Sequence, residues 1–374
     1  MKMITKSDII KAAYEHGFED VGFTTADPFP DHKQLLLDRR EEYGWAEAVG
    51  LELVKGTDPT TILPNAKTII VLMEVYFRKS YPRSMEGTFG RCYLDDDRVT
   101  HDGLSKRIKA FRTFLRDNGI ASKVPFNLPH RVAAARAGMG TFGKNCLFYS
   151  NKVARRGSWT LPIAVVIDEA FEPGVATMKI GCPDWCRNTC IAACPTKALK
   201  GDGRIDPRKC ISYLTYFGEG ITPLELREPM GMFVYGCDRC QNVCPRNQPW
   251  LAQELPANEK VVAKEKYFEL SRLLHMDREY FETKIWPHMF YMSYQDIWRW
   301  KMNVARVMGN SRDEKYMADL IRAFEENSDE RVRAMTVWAI GNIGGPYVLT
   351  ALKGLIDESS DLVKEEIRWA KDLR

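Results

Sequence analysis

The chain has 374 residues, enough for two or three domains and for a core that needs no disulfide staples. Hydrophobic residues make up 45% and charged residues 28%, and a formal charge of +4 is too small to argue for nucleic acid by itself. No apolar run is long enough to span a bilayer, and Met1 to Lys6 leads into an amphipathic pattern without a signal core, so a cytoplasmic protein with no membrane partner is expected.

In chain order, Ser7 is expected to cap a helix that runs to His16 and stops at Gly17. A short strand follows at Asp20-Val21-Gly22-Phe23, and the clearest strand is Ala66 to Phe77, a continuous apolar run of the kind buried on both faces. Leu104 to Asn118 reads as an amphipathic helix. Leu104, Ile108, Phe111 and Leu115 share one face, and Lys106, Lys109, Arg112 and Arg116 form a solvated opposite face. The acidic run Asp95-Asp96-Asp97 reads as solvated loop. Next come three glycines in six residues, Gly138, Gly140 and Gly143, followed by Lys144; such a loop lets a backbone approach a ligand closely, although a structural turn is the alternative. It is not a phosphate-binding P-loop, because the upstream glycine spacing and the following Ser or Thr are missing. Trp159 to Ile167 is expected to be a further buried strand.

The chemistry is carried by Cys182 to Cys244, which holds eight of the ten cysteines. They fall into two runs, each closed by Cys-Pro, which is how a chain holds a pair of iron–sulfur clusters, the last Cys of each run reaching across to the other cluster. On that logic cluster one takes Cys182, Cys186, Cys190 and Cys244, and cluster two takes Cys194, Cys210, Cys237 and Cys240, both of the 4Fe–4S type. The first run is spaced by three residues at every gap, one longer than the common bacterial pattern at its first two gaps. Paired zinc sites would also use eight thiolates, but Cys-Pro closure and the outlying Cys210 fit ferredoxin chemistry better. The spare Cys92 and Cys146 are expected to be small core hydrophobes.

After Pro245 the pattern turns helical, with an aromatic-rich stretch that includes Trp286, Phe290, Tyr291, Tyr294, Trp298 and Trp300, mostly as packing residues. From Asn303 onward a 32-residue unit repeats: Gly309-Asn310 recurs as Gly341-Asn342, Leu320 as Leu352, Phe324 as Ile356, and Ser328-Asp329 as Ser360-Asp361. A two-helix unit of this length is HEAT-like and must stack to bury its apolar face.

Three stretches together resemble a known family. They are Ala137-Gly138-x-Gly140-x-x-Gly143-Lys144-Asn145, Arg208-Lys209-Cys210-Ile211-Ser212-Tyr213-Leu214-Thr215, and Tyr235-Gly236-Cys237-Asp238-x-Cys240-Gln241-x-Val243-Cys244-Pro245. With the HEAT-like pair behind them, they look like the epoxyqueuosine reductases, cobalamin-dependent iron–sulfur enzymes related to reductive dehalogenases. The resemblance implies an α+β multidomain chain. Residues 1–177 would form an α/β, nitroreductase-like cobalamin-binding domain, residues 178–250 a double 4Fe–4S ferredoxin-like module, and residues 251–374 a helical segment with HEAT-like repeats. It further implies an oxidoreductase fed by an external one-electron donor of ferredoxin or flavodoxin type. Such an enzyme converts epoxyqueuosine on a tRNA anticodon stem-loop to queuosine, with Gly138, Gly140, Gly143 and Lys144 lying against the corrin.

The family's proton-donating acid, shortly before the glycine loop, has no counterpart in Val124-Pro125-Phe126-Asn127-Leu128-Pro129-His130-Arg131, and His130 is its nearest replacement. Tyr93 and Asp97 are weaker candidates. From Lys301 to the end, 12 Lys and Arg stand against 13 Asp and Glu, which leaves no strong positive field for phosphates. Basic residues gather instead near the glycine loop, as Arg131, Arg136, Lys144, Lys152, Arg155 and Arg156, with tRNA or the corrinoid tail as counterparts. Two rival readings share these residues: a reductive dehalogenase-like enzyme acting on a small molecule, and an electron-transfer protein that reduces a partner corrinoid protein.

Overall fold

The computed structural model describes residues 4–178, 180–288, 292–346, 348–355 and 359–372; Phe290, Tyr291 and Ile356 lie outside them. Helix α1 (Lys6–Glu15) starts two residues earlier than Ser7 would place it. The Thr5 hydroxyl accepts the Asp8 N–H at 3.2 Å while the Asp8 carboxylate accepts the Thr5 N–H at 2.9 Å, a reciprocal cap that Ser7 cannot make from inside the first turn. Gly17, at φ +79°, ends the helix as expected.

Strands β1 (Asp20–Thr25) and β2 (Thr68–Val75) pair antiparallel, with Gly22 opposite Val71. Helix α2 (Leu104–Asp117) precedes the short β3 (Ser122–Lys123) and helix α3 (His130–Arg136). Strands β4 (Gly140–Phe142) and β5 (Phe148–Ser150) form a separate hairpin, and β6 (Thr160–Ile167) returns to the main sheet. The sheet order is β1-β2-β6-β3, antiparallel throughout. Alternation along β2 divides the core between its two faces. Ile70 and Leu72 pack with Ile9, Ala12, Phe111 and Leu115 of α1 and α2, whereas Ile69, Val71 and Met73 pack with Ala133, Ala134 and Ala135 of α3. The result is a helix–sheet–helix sandwich, and β2 is buried along its whole length because both its faces are covered.

The acidic run is a loop that is only partly solvated: Asp95 is exposed and Asp96 half-buried. Asp97 is buried and accepts the N–H groups of Gly103 and Ser105 at 2.8 and 2.9 Å, which starts α2. Asp96 pairs with Arg98, and Asp95 accepts from Asn258.

Among the described residues, no helix is long and apolar enough to cross a membrane. Beyond the cysteines the chain is helical: α4 (Thr189–Ala192), α5 (Ile211–Tyr216) and α6 (Arg239–Asn242) belong to the cysteine module, and α7 (Ile297–Ser311), α8 (Met317–Glu326), α9 (Glu330–Ile343) and α10 (Asp361–Asp372) follow. A Cβ on Gly309 would sit 2.8 Å from the Cα of Ala339, and one on Gly341 would sit 2.8 Å from the Cβ of Ala370. The repeated glycine is therefore where each repeat's long helix meets the next. One apolar core runs from Val75 and Phe77 through Tyr235 to Trp300, Trp338 and Ala370, so packing is continuous across position 250.

Candidate redox centre and its covering loop

Helices α4 and α6, each carrying the third or second cysteine of its run, pack on one another and bring the two runs together. Burial, then the thiols of Cys244, Cys186 and Cys182, push Cys190 up to about 11, so these four sulfurs form one neighbourhood although Cys244 is more than fifty residues away in the chain. The second neighbourhood is built the same way. Cys240 is raised first by burial and then by Cys237 and Cys210, and Cys210 in turn feels Cys194. Cys190 is also among the groups acting on Cys240, so the two sets adjoin. Raised thiol values describe the protonated, metal-free side chains; iron takes the place of the proton.

The module is pinned to the sandwich by buried polar contacts. Asp238, between Cys237 and Cys240, accepts the Arg91 N–H at 2.8 Å and the Arg91 guanidinium at 3.4 Å, and that guanidinium also donates to Asn242 at 2.7 Å. Arg91 is itself buried between Asp238 and the rings of Phe77 and Trp159. Neither Arg91 nor its partnership with Asp238 carries a sequence signal, since 147 positions separate them.

The glycine loop covers cluster one's cysteines. Its glycines are required by the protein's own atoms: a Cβ on Gly138 would meet the Val175 carbonyl oxygen at 2.4 Å, one on Gly140 the Tyr149 oxygen at 2.1 Å, and one on Gly143 the Tyr149 ring at 2.5 Å. Close packing inside the protein therefore requires glycine at all three positions, as a structural turn would. Lys144 faces the first run instead. Its N–H points at the Cys182 sulfur at 3.3 Å, and its ammonium donates to Asn188 at 2.8 Å. From the same hairpin, Asn145 donates to the Cys240 carbonyl at 3.3 Å and to the Tyr149 hydroxyl at 2.9 Å. Burial and a hydrogen bond with the Cys244 sulfur both raise Tyr149. Nothing in the sequence pattern singles out Tyr149. Its role depends on strand pairing that only the folded hairpin reveals.

His130 begins α3 with both ring nitrogens occupied. Nδ1 accepts the Ala164 N–H of β6 at 2.8 Å, and Nε2 donates to the Pro125 carbonyl at 2.8 Å. Burial lowers its pKa, which favours the neutral ring that this pattern needs. As placed, the ring clamps loop to sheet and has no nitrogen free for a substrate. Tyr93 and Asp97 are likewise engaged, the first with the Tyr216 hydroxyl at 3.2 Å.

The spare cysteines are not core hydrophobes. Cys92 is open to water and Cys146 is half-buried, yet surrounding protein pushes each thiol up to about 12, and the Arg131 guanidinium acts on both. Burial is the largest cause in both, and at Cys146 the Cys210 thiol adds to it. Cys146 is held at φ +63°, a backbone region that non-glycine residues seldom adopt.

The basic cluster disperses. Arg136 is spent on the carbonyls of Thr25, Asp27 and Pro28, at 2.7 to 3.2 Å, and on the Phe29 ring. Lys152 pairs with Asp20 at 3.0 Å. Arg155 and Arg156 remain exposed, on a turn in which Ala154, Arg155 and Arg156 are all left-handed, at φ +50°, +49° and +63°. Each such residue costs about 1–2 kcal/mol. The turn is held by Ser150, whose hydroxyl accepts from Lys152 and Val153, and by Arg246, which donates to the Arg156 carbonyl at 3.0 Å.

Residues 182–247 match the 4Fe-4S double cluster binding domain family, and residues 298–370 match HEAT repeats. The epoxyqueuosine reductase of Staphylococcus aureus is 30% identical over 99% of this chain and 97% of its own length, and that of Bacillus subtilis is 30% identical over 98% and 95%. Among solved structures, a Bacillus subtilis epoxyqueuosine reductase with its catalytic aspartate loop swung out of the active site superposes with a TM-score of 0.82 at 28% identity, covering 98% of both chains. An epoxyqueuosine reductase solved with an epoxyqueuosine-modified tRNA-Tyr stem loop superposes at 0.81 and 27%, again over 98% of both. Likeness of this extent covers sandwich, cysteine module and helical repeats alike: the chain is an iron–sulfur oxidoreductase and belongs to the epoxyqueuosine reductase family.

Proposed function

We propose that this chain reduces epoxyqueuosine in tRNA to queuosine, using two 4Fe–4S clusters and cobalamin. The reading is supported most by one observation: Cys244 of the second cysteine run gathers with Cys182, Cys186 and Cys190, the crossed arrangement of an electron relay, within a chain resembling epoxyqueuosine reductases end to end. Removing the epoxide oxygen as water and leaving a carbon–carbon double bond consumes two electrons and two protons. Clusters held by the eight cysteines would supply the electrons one at a time.

Gly138, Gly140, Gly143 and Lys144 are the residues that the resemblance sets against the corrin; the Cβ sides of the three glycines pack on the protein's own atoms, which leaves their N–H groups as the part of the loop a corrinoid would meet. Cobalamin, when bound, would supply a strongly reducing cobalt centre able to cleave a carbon–oxygen bond. The chain's own contributions are distinct. Cys194, Cys210, Cys237 and Cys240 would hold the second cluster, the exposed Arg131 offers positive charge to a phosphate or developing oxyanion, and His130 fixes the loop ahead of it to β6. Lys144 serves cluster one through its N–H. No carboxylate lies between Val124 and Arg131, so the protons reach the oxygen from a group outside that segment or from water.

The test is direct. Anaerobically reconstituted protein with cobalamin, a low-potential reductant and an epoxyqueuosine-containing anticodon stem-loop is expected to yield queuosine by nucleoside mass spectrometry. Intact clusters with bound corrinoid and no queuosine would rule the substrate out.

A further inference from the structure

Electrons must enter this molecule from outside, and its surface over cluster one has a composition of its own. Between the ligands Cys182 and Cys186 stands Trp185, 65% exposed. Ile180, just ahead of the first ligand, and Val243, next to the ligand Cys244, are 44% and 37% exposed. These apolar side chains sit on the cluster's own loops. Thr189 of the first run donates to the Val243 carbonyl at 3.3 Å, and Ile180 bridges to Phe142 of the covering hairpin. Beside them is a cationic rim. Arg246 spans from the Gly181 carbonyl, at 2.9 Å, to the Arg156 carbonyl, at 3.0 Å, so the left-handed turn with its exposed Arg155 and Arg156 is tied to the start of the first run. Arg187, directly after the ligand Cys186, is exposed as well, and Asp184 is the acid exposed in that loop.

We propose that this face, Trp185, Ile180 and Val243 rimmed by Arg155, Arg156 and Arg187, is the docking surface for a small acidic protein that carries one electron at a time. The inference rests on the reading of the cysteines as a relay. Electron tunnelling weakens steeply with distance, so a carrier must bring its own cofactor against the loops of the outer cluster. Apolar contact there excludes water, while cations around it steer an acidic partner and hold it only briefly. An RNA strand could meet the same arginines, but it gains nothing from lying over the ligand loops of a cluster. The strained turn fits this assignment: held by Ser150 and Arg246, it buries Ala154 in the core while turning Arg155 and Arg156 out to solvent.

The test uses the full chain with both clusters loaded and oxidised, mixed anaerobically with a reduced acidic flavodoxin while cluster absorbance is followed. The wild-type second-order rate is expected to fall steeply with added salt. In the double variant R155E/R156E the low-salt rate should drop about 10-fold or more and lose its salt dependence. Trp185→Ala should slow the reaction while keeping the salt dependence. Photoreduced deazaflavin, a small neutral reductant, should reduce all three proteins equally, which guards against damaged clusters. Unchanged flavodoxin rates in both variants overturn the proposal. So does loss of anticodon stem-loop binding in R155E/R156E with the flavodoxin rate intact, which would give the face to RNA. Neither cobalamin nor turnover enters the readout, so this proposal and the epoxyqueuosine reading can fail separately.

Discussion

His130 shows how far a residue's identity can mislead when its partners are unknown. An imidazole close to the glycine loop, where the resemblance implies an acid, invites a catalytic role, yet both nitrogens are bonded to main chain, one of them to the buried strand β6. His130→Ala is therefore expected to act on stability, because it leaves the Ala164 N–H without its acceptor, at a cost of about 1–3 kcal/mol. The pH dependence carries a sign. Burial lowers the folded pKa below the ordinary value of 6.5, so the unfolded chain binds the extra proton first, and this residue's stabilising contribution is lost as pH falls below about 6.5. Urea midpoints at pH 7.5 and 5.5 check this. The wild type should lose more on acidification than the variant, and a variant with normal stability but no turnover would restore His130 as a proton donor.

At the scale of elements, what repeats or alternates was legible and what crosses the chain was not. The run from Ala66 to Phe77 announces β2 because both its faces need apolar cover, and the 32-residue period announces the paired helices because Gly309 and Gly341 meet the same close approach. The cysteine module is legible for a chemical reason: few arrangements other than a cluster pair ask for eight thiols and two Cys-Pro closures. The surroundings of the β4–β5 hairpin were not legible, because glycines signal closeness without naming the neighbour, and here Val175 and Tyr149 are among the neighbours. The hairpin's contacts have a measurable consequence. Donors aimed at a ligand sulfur favour the reduced, more negative cluster. The Tyr149 hydroxyl on Cys244 and the Lys144 N–H on Cys182 should therefore raise cluster one's potential. Tyr149→Phe is expected to lower that potential by the equivalent of about 1 kcal/mol per electron, leaving cluster two unmoved, in a redox titration followed by electron paramagnetic resonance. Equal shifts in both clusters would contradict the assignment of the hairpin to one of them.

For the whole molecule, the question is what makes the helical repeats part of the redox unit rather than an appendage. Buried polar contacts answer it. Asn303 of α7 donates to the carbonyls of Thr215 and Val234, at 2.8 and 3.0 Å, on either side of the approach to Cys237. Arg306, fully buried and without a carboxylate, donates to the carbonyls of Gly231 and Phe233. Farther along, Arg227 of the cysteine module makes a two-pronged ion pair with Glu366 of α10, at 2.8 and 2.6 Å, both groups being almost fully enclosed. An enclosed pair contributes little net stability over an apolar substitute, but removing one partner leaves a charge with no compensation. Glu366→Ala is accordingly expected to cost about 3–5 kcal/mol, whereas the double variant that also replaces Arg227 with Met should recover most of the loss. If the repeats and the cysteine module form one cooperative unit, the Glu366→Ala protein should release iron and lose helical signal at the same urea concentration. Loss of helix with iron retained to higher urea would show two separable units, and the repeats would then be free to move against the clusters they cover.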